Sequence, residues 1–172
     1  LIDFGHVVSV AIVIRSALFW VATEGWHGIP IVIAAFAIGS IAMLLISQYR
    51  VQLFKHTNRS GDCLQQAVID GNLAVGIRYA GFLVGSALAL TAASGIAPYA
   101  ADNIVASLAY WALSAAVSLV AFILLHLVTI KIILSGCDIS DEVNRQKNVG
   151  VAAISAAISF AIGSTMATLL GA

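Results

Sequence analysis

Two stretches decide the fold of this 172-residue chain: Gly71-Asn72-Leu73-Ala74-Val75-Gly76 and Lys147-Asn148-Val149-Gly150-Val151-Ala152. In each stretch a polar step is followed at once by a long apolar run, and the two asparagines lie 76 residues apart. The same offset relates other similar pairs: Asp62 with Asp138, Gln66 with Glu142, Val75 with Val151, and Ala80 with Ala156. Similarity at a fixed spacing indicates an internal repeat. We therefore predict a duplicated structural unit.

The composition indicates that most of the surface of this chain faces lipid. Hydrophobic residues make up 61% of the chain and charged residues only 9%, and the mean hydropathy is +1.03. A soluble domain carries about 25% charged residues, so this chain has too few to cover a globule in water. The lipid bilayer is therefore the expected partner, and a net charge of zero argues against nucleic-acid binding.

Four apolar runs are long enough to cross a bilayer, which takes about 20 residues. They cover residues 31–49, 79–101, 103–130 and 149–171. A fifth run, residues 5–23, is interrupted by Arg15. This run either crosses the membrane with Arg15 against a partner or lies in the interface, and crossing is favoured. The prediction is an all-α, polytopic integral membrane protein: a duplicated two-helix repeat of four core transmembrane helices, plus an N-terminal fifth.

The repeat and the charges predict the organisation and the topology. Residues 1–27 form an N-terminal apolar helix, residues 28–101 the first membrane helix pair, and residues 102–172 the second pair. Six of the eight basic residues fall in two connections: Arg50, Lys55, Arg59, Lys131, Arg145 and Lys147. Because Lys and Arg favour cytoplasmic loops, we expect both connections inside, the N terminus inside and the C terminus outside. The two pairs then have the same orientation, as a parallel repeat.

Aspartates and aromatic residues mark the predicted helix ends. Asp62 and Asp138 are expected N-caps, and the helix that starts at Asp62 should continue through Gly71-Asn72 into the membrane. Aromatic residues near the opposite membrane face resemble an interfacial belt: Trp20, Trp26, Tyr99, Tyr110 and Trp111.

Asn72 and Asn148 are the first candidates for function. An amide near hydrocarbon is costly unless it is hydrogen-bonded. The two side chains could bond each other or backbone carbonyls across a pseudo-twofold axis. The functional interpretation is a polar constriction or ion-coordinating site at the cytoplasmic mouth. The alternative is interhelical hydrogen bonding, which membrane bundles use routinely.

The helix after Asn148 carries small and hydroxyl side chains on one face, notably Ser155 and Ser159. This face either lines a narrow aqueous path or lets another helix approach closely, and packing is favoured. The expected helix-packing glycines are Gly71, Gly76, Gly81, Gly85 and Gly163.

Arg78 lies about 9 Å inside its helix at 1.5 Å per residue. Its side chain could snorkel to the surface, pair with Asp70, or serve a function, which is the default hypothesis for an intramembrane charge. His126 is expected to be a hydrogen-bonded structural residue. Cys63 and Cys137 are expected to be free thiols.

Catalytic motifs are missing from the sequence. It contains no HExxH, GxSxG, phosphate loop or CxxC pattern. We therefore expect no enzyme, no catalytic residue, no metal site and no cofactor.

The two opening stretches resemble the bacterial family called domain of unknown function 350. Its repeated signature is an Asn followed by small residues. Residues 71–77 match the first copy, and residues 148–152 match the second, with Lys147 where a glycine is often found. The resemblance covers about residues 30–172. It implies four membrane helices from two pairs, a place in the bacterial inner membrane and a role in envelope maintenance, but no catalytic residues.

The larger members of this family carry two such units. The resemblance therefore offers an origin for residues 1–27, as the end of a preceding repeat unit. Gly5-His6-Val7-Val8 would be its motif, with His6 in place of the Asn.

Two functions follow from these features. The first is a channel- or transporter-like membrane component, oligomeric with itself or with other membrane proteins, whose Asn-led helix starts form the cytoplasmic mouth. The second is a non-conducting scaffold or anchor for an envelope-associated partner. The face that carries Ser155 and Ser159 distinguishes the two functions, because in a pore this face contacts water and in a scaffold it packs against another helix.

Overall fold

The computed structural model describes residues 2–57 and 63–171, and every statement below concerns these residues. They form seven α-helices and no strand. The helices are α1 (Ile2–Trp20), α2 (Ile29–Thr57), α3 (Leu64–Ile69), α4 (Leu73–Ile96), α5 (Ile104–Ile133), α6 (Ile139–Asn144) and α7 (Val149–Leu170). Short 3-10 turns at Ala22–Gly28 and Ala101–Asn103 join the long helices. The all-α prediction is confirmed.

Five of the helices, α1, α2, α4, α5 and α7, are long and apolar enough to cross a membrane. The N-terminal run interrupted by Arg15 is one of them, a single helix of 19 residues. Pro30 lies in the first turn of α2, where its missing N–H leaves no bond unmade. The described chain is thus a multi-pass helical membrane protein with the predicted number of long helices.

Helix α4 is the centre of the bundle. In its most apolar window 67% of the residues are buried, compared with 28–33% in the other four long helices. A helix that is apolar all round is suited to such a central position. The other long helices each keep one face on the core and present the rest to lipid.

Small residues let α1 and α7 approach α4 closely on either side. A Cβ atom built on Gly5 of α1 would lie 2.8 Å from the Cα of Ala80. Cβ atoms built on Gly81 and Gly85 would overlap Ala156 and Ser159 of α7, and one on Gly163 would overlap the backbone of Gly85. Gly76 is also buried. The packing roles predicted for Gly81, Gly85 and Gly163 agree with this geometry.

The helix predicted to run through Gly71-Asn72 is broken, and that prediction is wrong. Helix α3 ends at Ile69 and α4 begins at Leu73. Gly71 adopts φ +81° with open space around it, so it forms a turn and packs against no helix. Its predicted packing role is therefore also wrong. The predicted cap Asp62 lies outside the described residues.

The second unit repeats this local geometry. Asp138 caps α6 by accepting hydrogen bonds from the backbone N–H groups of Ser140 and Asp141, as predicted. Lys147 adopts φ +54°, the same left-handed conformation as Gly71 at the equivalent position. Each unit therefore consists of a short helix, a left-handed turn and an Asn-capped long helix. Duplication as the origin of this likeness stays a prediction.

The two ends of the bundle differ in chemistry. The basic end comprises α3, α6, the C-terminal turns of α2 and α5, and the N-terminal turns of α4 and α7. At the opposite end Trp20 donates a hydrogen bond from Nε1 to the carbonyl of Ala97 (2.6 Å) and packs edge-on against Tyr99. Trp111 is fully buried, so it belongs to the core and not to the predicted aromatic belt. Trp26 and Tyr110 are exposed, as a belt requires.

Candidate anion-binding site

Asn72 ties the start of α4 to the end of α6. Its Oδ1 accepts a hydrogen bond from the backbone N–H of Val75 (3.3 Å), which makes it the N-cap of α4. Its Nδ2 donates to the backbone carbonyls of Val143 (3.1 Å) and Asn144 (3.0 Å). The side chain is only 3% exposed, and its amide nitrogen and its amide oxygen both bond to the backbone of the fold.

Asn148 caps α7 in the same way but has a different second partner. Its Oδ1 accepts from the N–H of Val151 (3.2 Å), and its Nδ2 donates to Oε2 of Glu142 (2.8 Å). The two asparagines therefore do not bond each other. They make contacts of the interhelical kind predicted as the alternative to an ion site.

The hydroxyl face of α7 is packed inside the chain. Ser155 and Ser159 are 1% and 0% exposed. The Ser159 hydroxyl donates to the carbonyl of Ser155 (3.0 Å) and lies 3.2 Å from Nδ1 of His126. His126 is itself buried and stacks on Phe122, which fits its predicted structural role. Ser159 thus contacts α4 and α5 instead of a water path, and Ser155 is buried with no partner for its hydroxyl in the described residues.

Two arginines meet at the basic end, and only one of them was singled out from the sequence. Arg78 is half-buried. The ion pair with Asp70 that the sequence allowed does not form, since Asp70 instead accepts a hydrogen bond from Gln66 (2.8 Å). Arg50 lies inside α2, with its Cζ 4.3 Å from the centroid of the Phe82 ring. This cation–π contact stabilises the charge but supplies no hydrogen-bond acceptor.

Both arginines line a cavity of about 90 Å³ between α2, α4 and α6. This volume equals that of about three water molecules in the liquid. Its polar lining consists of Arg50, Thr57, Arg78, Tyr79, Ser140 and Asn144, and the rest is aliphatic or aromatic. The described lining contains no carboxylate.

Three buried donor atoms of residues that line this cavity lack partners. The Nε atoms of Arg50 and Arg78 and the Nδ2 of Asn144 are inaccessible to solvent and bond no group in the described chain. An unsatisfied buried donor costs about 1–3 kcal/mol, and a charged one more. Two neighbouring positive charges also repel each other. The guanidinium fork matches the oxygens of carboxylates and phosphates, so an oxyanion in the cavity would compensate the two charges.

Neighbouring contacts hold the lining side chains in place. The Tyr79 hydroxyl lies 2.6 Å from the Ser47 hydroxyl and 3.3 Å from Nε2 of His6. At the C-terminal end of α6, the Nε of Arg145 contacts the carboxylate of Asp141 at 2.6 Å. The hydrogen bond to Asp141 and the charge of that carboxylate raise the pKa of Arg145, so the pair stays ionised at every pH at which the carboxylate is charged. The tie from Asn72 then fixes α6 against α4.

Other predicted features take no part in this site. Cys63 and Cys137 are free and exposed, as expected. Arg15 is exposed on α1 and has no partner in the described residues. No group of three or more potential metal ligands occurs in the described part of the chain.

Sequence reasoning missed Arg50 because the apolar run ends at Tyr49 and the following charges resemble a loop. Helix α2 instead continues to Thr57. A signal was present in the spacing: Met43, Ile46 and Phe54 are buried positions of α2, and Arg50 falls on the same face at i+4 from Ile46.

Comparison with known proteins identifies the family of this chain. No curated protein and no solved structure matches the chain. The family model described as Domain of Unknown Function (DUF350) matches residues 24–170, which include both Asn-capped units and the cavity. The chain therefore belongs to the DUF350 family of membrane proteins.

Proposed function

We propose that this protein binds a small oxyanion, of the phosphate type, at the basic end of its helix bundle, as a component of a transporter-like assembly. The observation that carries the proposal is the cavity lined by Arg50 and Arg78 without a carboxylate. Charged residues within membrane-spanning helices mark substrate or ion pathways by default. Two positive charges favour a dianion over a monoanion, because a dianion neutralises both.

The side of the membrane follows from the charge distribution. Basic connections favour the cytoplasm, so in a bacterial inner membrane the cavity would open to the cytoplasm. The Ser155 and Ser159 face is packed, which argues against a pore lined by α7 within one chain. A transport route would therefore pass between copies of the chain, or between this chain and a membrane partner.

The scaffold remains the second candidate because Asn72, Asn148 and Ser159 are engaged inside the chain, and Ser155 is buried. In a scaffold the two arginines would bind an anion without moving it, or bind none. No catalytic role is assigned in either case.

The binding test uses the purified chain in detergent. We would measure the thermal midpoint in chloride and in phosphate or sulfate at constant ionic strength. A ligand at 100 times its Kd stabilises the native state by about 2.7 kcal/mol, so the oxyanions should raise the midpoint clearly. The variant Arg50→Gln/Arg78→Gln should lose this shift, and Lys131→Gln, a change at an exposed residue of the same end outside the cavity, should keep it. An equal shift in the double variant would refute the site.

A second measurement separates transport from scaffolding. Proteoliposomes containing the wild-type chain should accumulate radiolabelled phosphate down its gradient, and those containing Arg50→Gln/Arg78→Gln should not. Binding without any uptake would exclude the transporter-like role of the chain by itself and favour the scaffold. The oligomeric state in detergent completes the test, since a strict monomer leaves no route between copies.

A further inference from the structure

A long groove runs along α4 between α1 and α7, on the side of the bundle away from the arginine cavity. The two flanking helices run parallel to α4: Gly5 meets Ala80 and Ser16 meets Ser94 on one side, and Gly81 meets Ala156 on the other. The floor of the groove is one face of α4 with helical spacing: Ile77, Ala80, Gly81, Val84, Leu88, Thr91 and Ser94.

The two halves of this groove have different chemistry. Near the basic end a space of about 380 Å³ is lined only by apolar residues, including Phe4, Val84 and Phe160. Near the opposite end a space of about 340 Å³ contains Arg15 with the hydroxyl-bearing residues Ser16, Thr91, Ser94 and Thr168. One groove therefore has a cationic, polar part and an apolar part along the same helix.

We propose that this groove binds a phospholipid whose phosphate contacts Arg15 and whose acyl chain lies along α4. Arg15 precedes Trp20, the last residue of α1, by five residues, which is about 7.5 Å along the helix and within the headgroup reach of a snorkelling arginine. From Thr91 to Ile77 the floor extends 14 residues, or about 21 Å. That exceeds the half-thickness of the hydrocarbon core, about 15 Å, so an acyl chain fits within the groove.

Charge complementarity selects a lipid over a second copy of the chain. Arg15 has no partner in the described residues, and the described spanning helices contain one carboxylate, Asp3 in the first turn of α1 at the basic end. A second copy packed into the groove would therefore bring carboxylates to this end of the bundle only from the 3-10 turns beyond the helix ends, at Glu24 and Asp102. Every phospholipid carries a phosphate at the headgroup level, just outside the acyl chains.

The test measures lipid retention by native mass spectrometry of the full chain with dioleoyl phosphatidylglycerol as the probe. The wild type should retain one lipid per chain. Arg15→Gln should weaken retention about tenfold, the loss expected for one charge-assisted contact. Val84→Trp, which fills the apolar half, should abolish retention. Leu124→Trp, on an exposed position of α5 outside the groove, is the matched control and should bind as the wild type does.

Two further readouts keep the result interpretable. Circular dichroism and the thermal midpoint without lipid show whether each variant is folded, and Val84→Leu offers a smaller groove-filling change if Val84→Trp is not folded. The arginine-cavity variant Arg50→Gln/Arg78→Gln should retain the lipid, so the two sites can fail separately. Retention equal in all variants would overturn the proposal. So would a dimer that Val84→Trp dissociates, because the groove would then be a protein–protein interface.

Discussion

At the scale of single residues, the two N-cap asparagines differ in the groups to which their amide nitrogens donate hydrogen bonds. Asn72 satisfies two backbone carbonyls of α6 while buried, whereas Asn148 contacts the side chain of Glu142 and is half-buried. We expect Asn72→Ala to lower the free energy of unfolding by about 2–3 kcal/mol, the sum of a lost cap and an unsatisfied buried group. Asn148→Ala should cost about 1 kcal/mol. Unfolding by SDS titration, followed by tryptophan fluorescence, measures both, and a larger loss for Asn148→Ala would contradict this account.

Replacing Arg78 should change the stability in the opposite direction from the asparagine substitutions. In anion-free buffer its guanidinium has an unsatisfied Nε and lies in the same cavity as Arg50. Replacing it by the neutral, similarly shaped Gln should leave the stability unchanged or raise it by about 1 kcal/mol, because an uncompensated buried charge is unfavourable. In phosphate the order should reverse, since the wild type alone binds fully. Measurement of both variants in both buffers checks the crossover, and a loss of stability in both would indicate a purely structural arginine.

At the scale of elements, the contact between α4 and α7 depends on missing side chains. Gly85 meets the backbone of Ser159, and Gly163 meets Gly85. Gly85→Val should therefore separate the helices and destabilise the protein by about 1–3 kcal/mol. Ala153→Val, at an exposed position of α7, adds similar bulk outside the interface and should have little effect. SDS titration of the two variants tests the difference, and equal stabilities would mean that the interface tolerates repacking.

The two left-handed turns before the long helices provide a paired prediction. Gly71 at φ +81° has no steric cost, whereas Lys147 at φ +54° carries one, since a left-handed L-residue costs roughly 1–2 kcal/mol. Gly71→Ala should therefore destabilise the protein by about 1 kcal/mol. Lys147→Gly should stabilise it slightly, because its only described hydrogen bond is a long one to the carbonyl of Asp70 (3.4 Å). The same sign for both substitutions would rule out backbone conformation as the cause.

At the scale of the whole molecule, the five-helix topology predicts which residues lie on the same side of the membrane. Cys63 and Cys137 are exposed at the basic end, while Trp26 is 86% exposed at the opposite end. A membrane-impermeant maleimide should label both native cysteines from the same side of the membrane, and label Trp26→Cys, in a background without native cysteines, only from the other side. Labelling of inside-out and right-side-out vesicles measures this. If all three positions were labelled from one side, an even number of spans would separate residue 26 from the cysteines, and the five-helix topology would be wrong.

The sequence by itself determined the class of this protein and the number of long helices, because hydropathy, span length and the Lys and Arg distribution are properties of the linear chain. It also located the cap Asp138, since capping depends on neighbouring residues, but it placed Asn72 inside a continuous helix and not at the start of α4. Only the tertiary structure decided which apolar faces pack and which meet lipid, because the two environments select the same residue types. For that reason only the structure showed that the α7 serines are packed and that Arg50 lies beside Arg78. It also showed that α4 lines both the arginine cavity and the groove between α1 and α7.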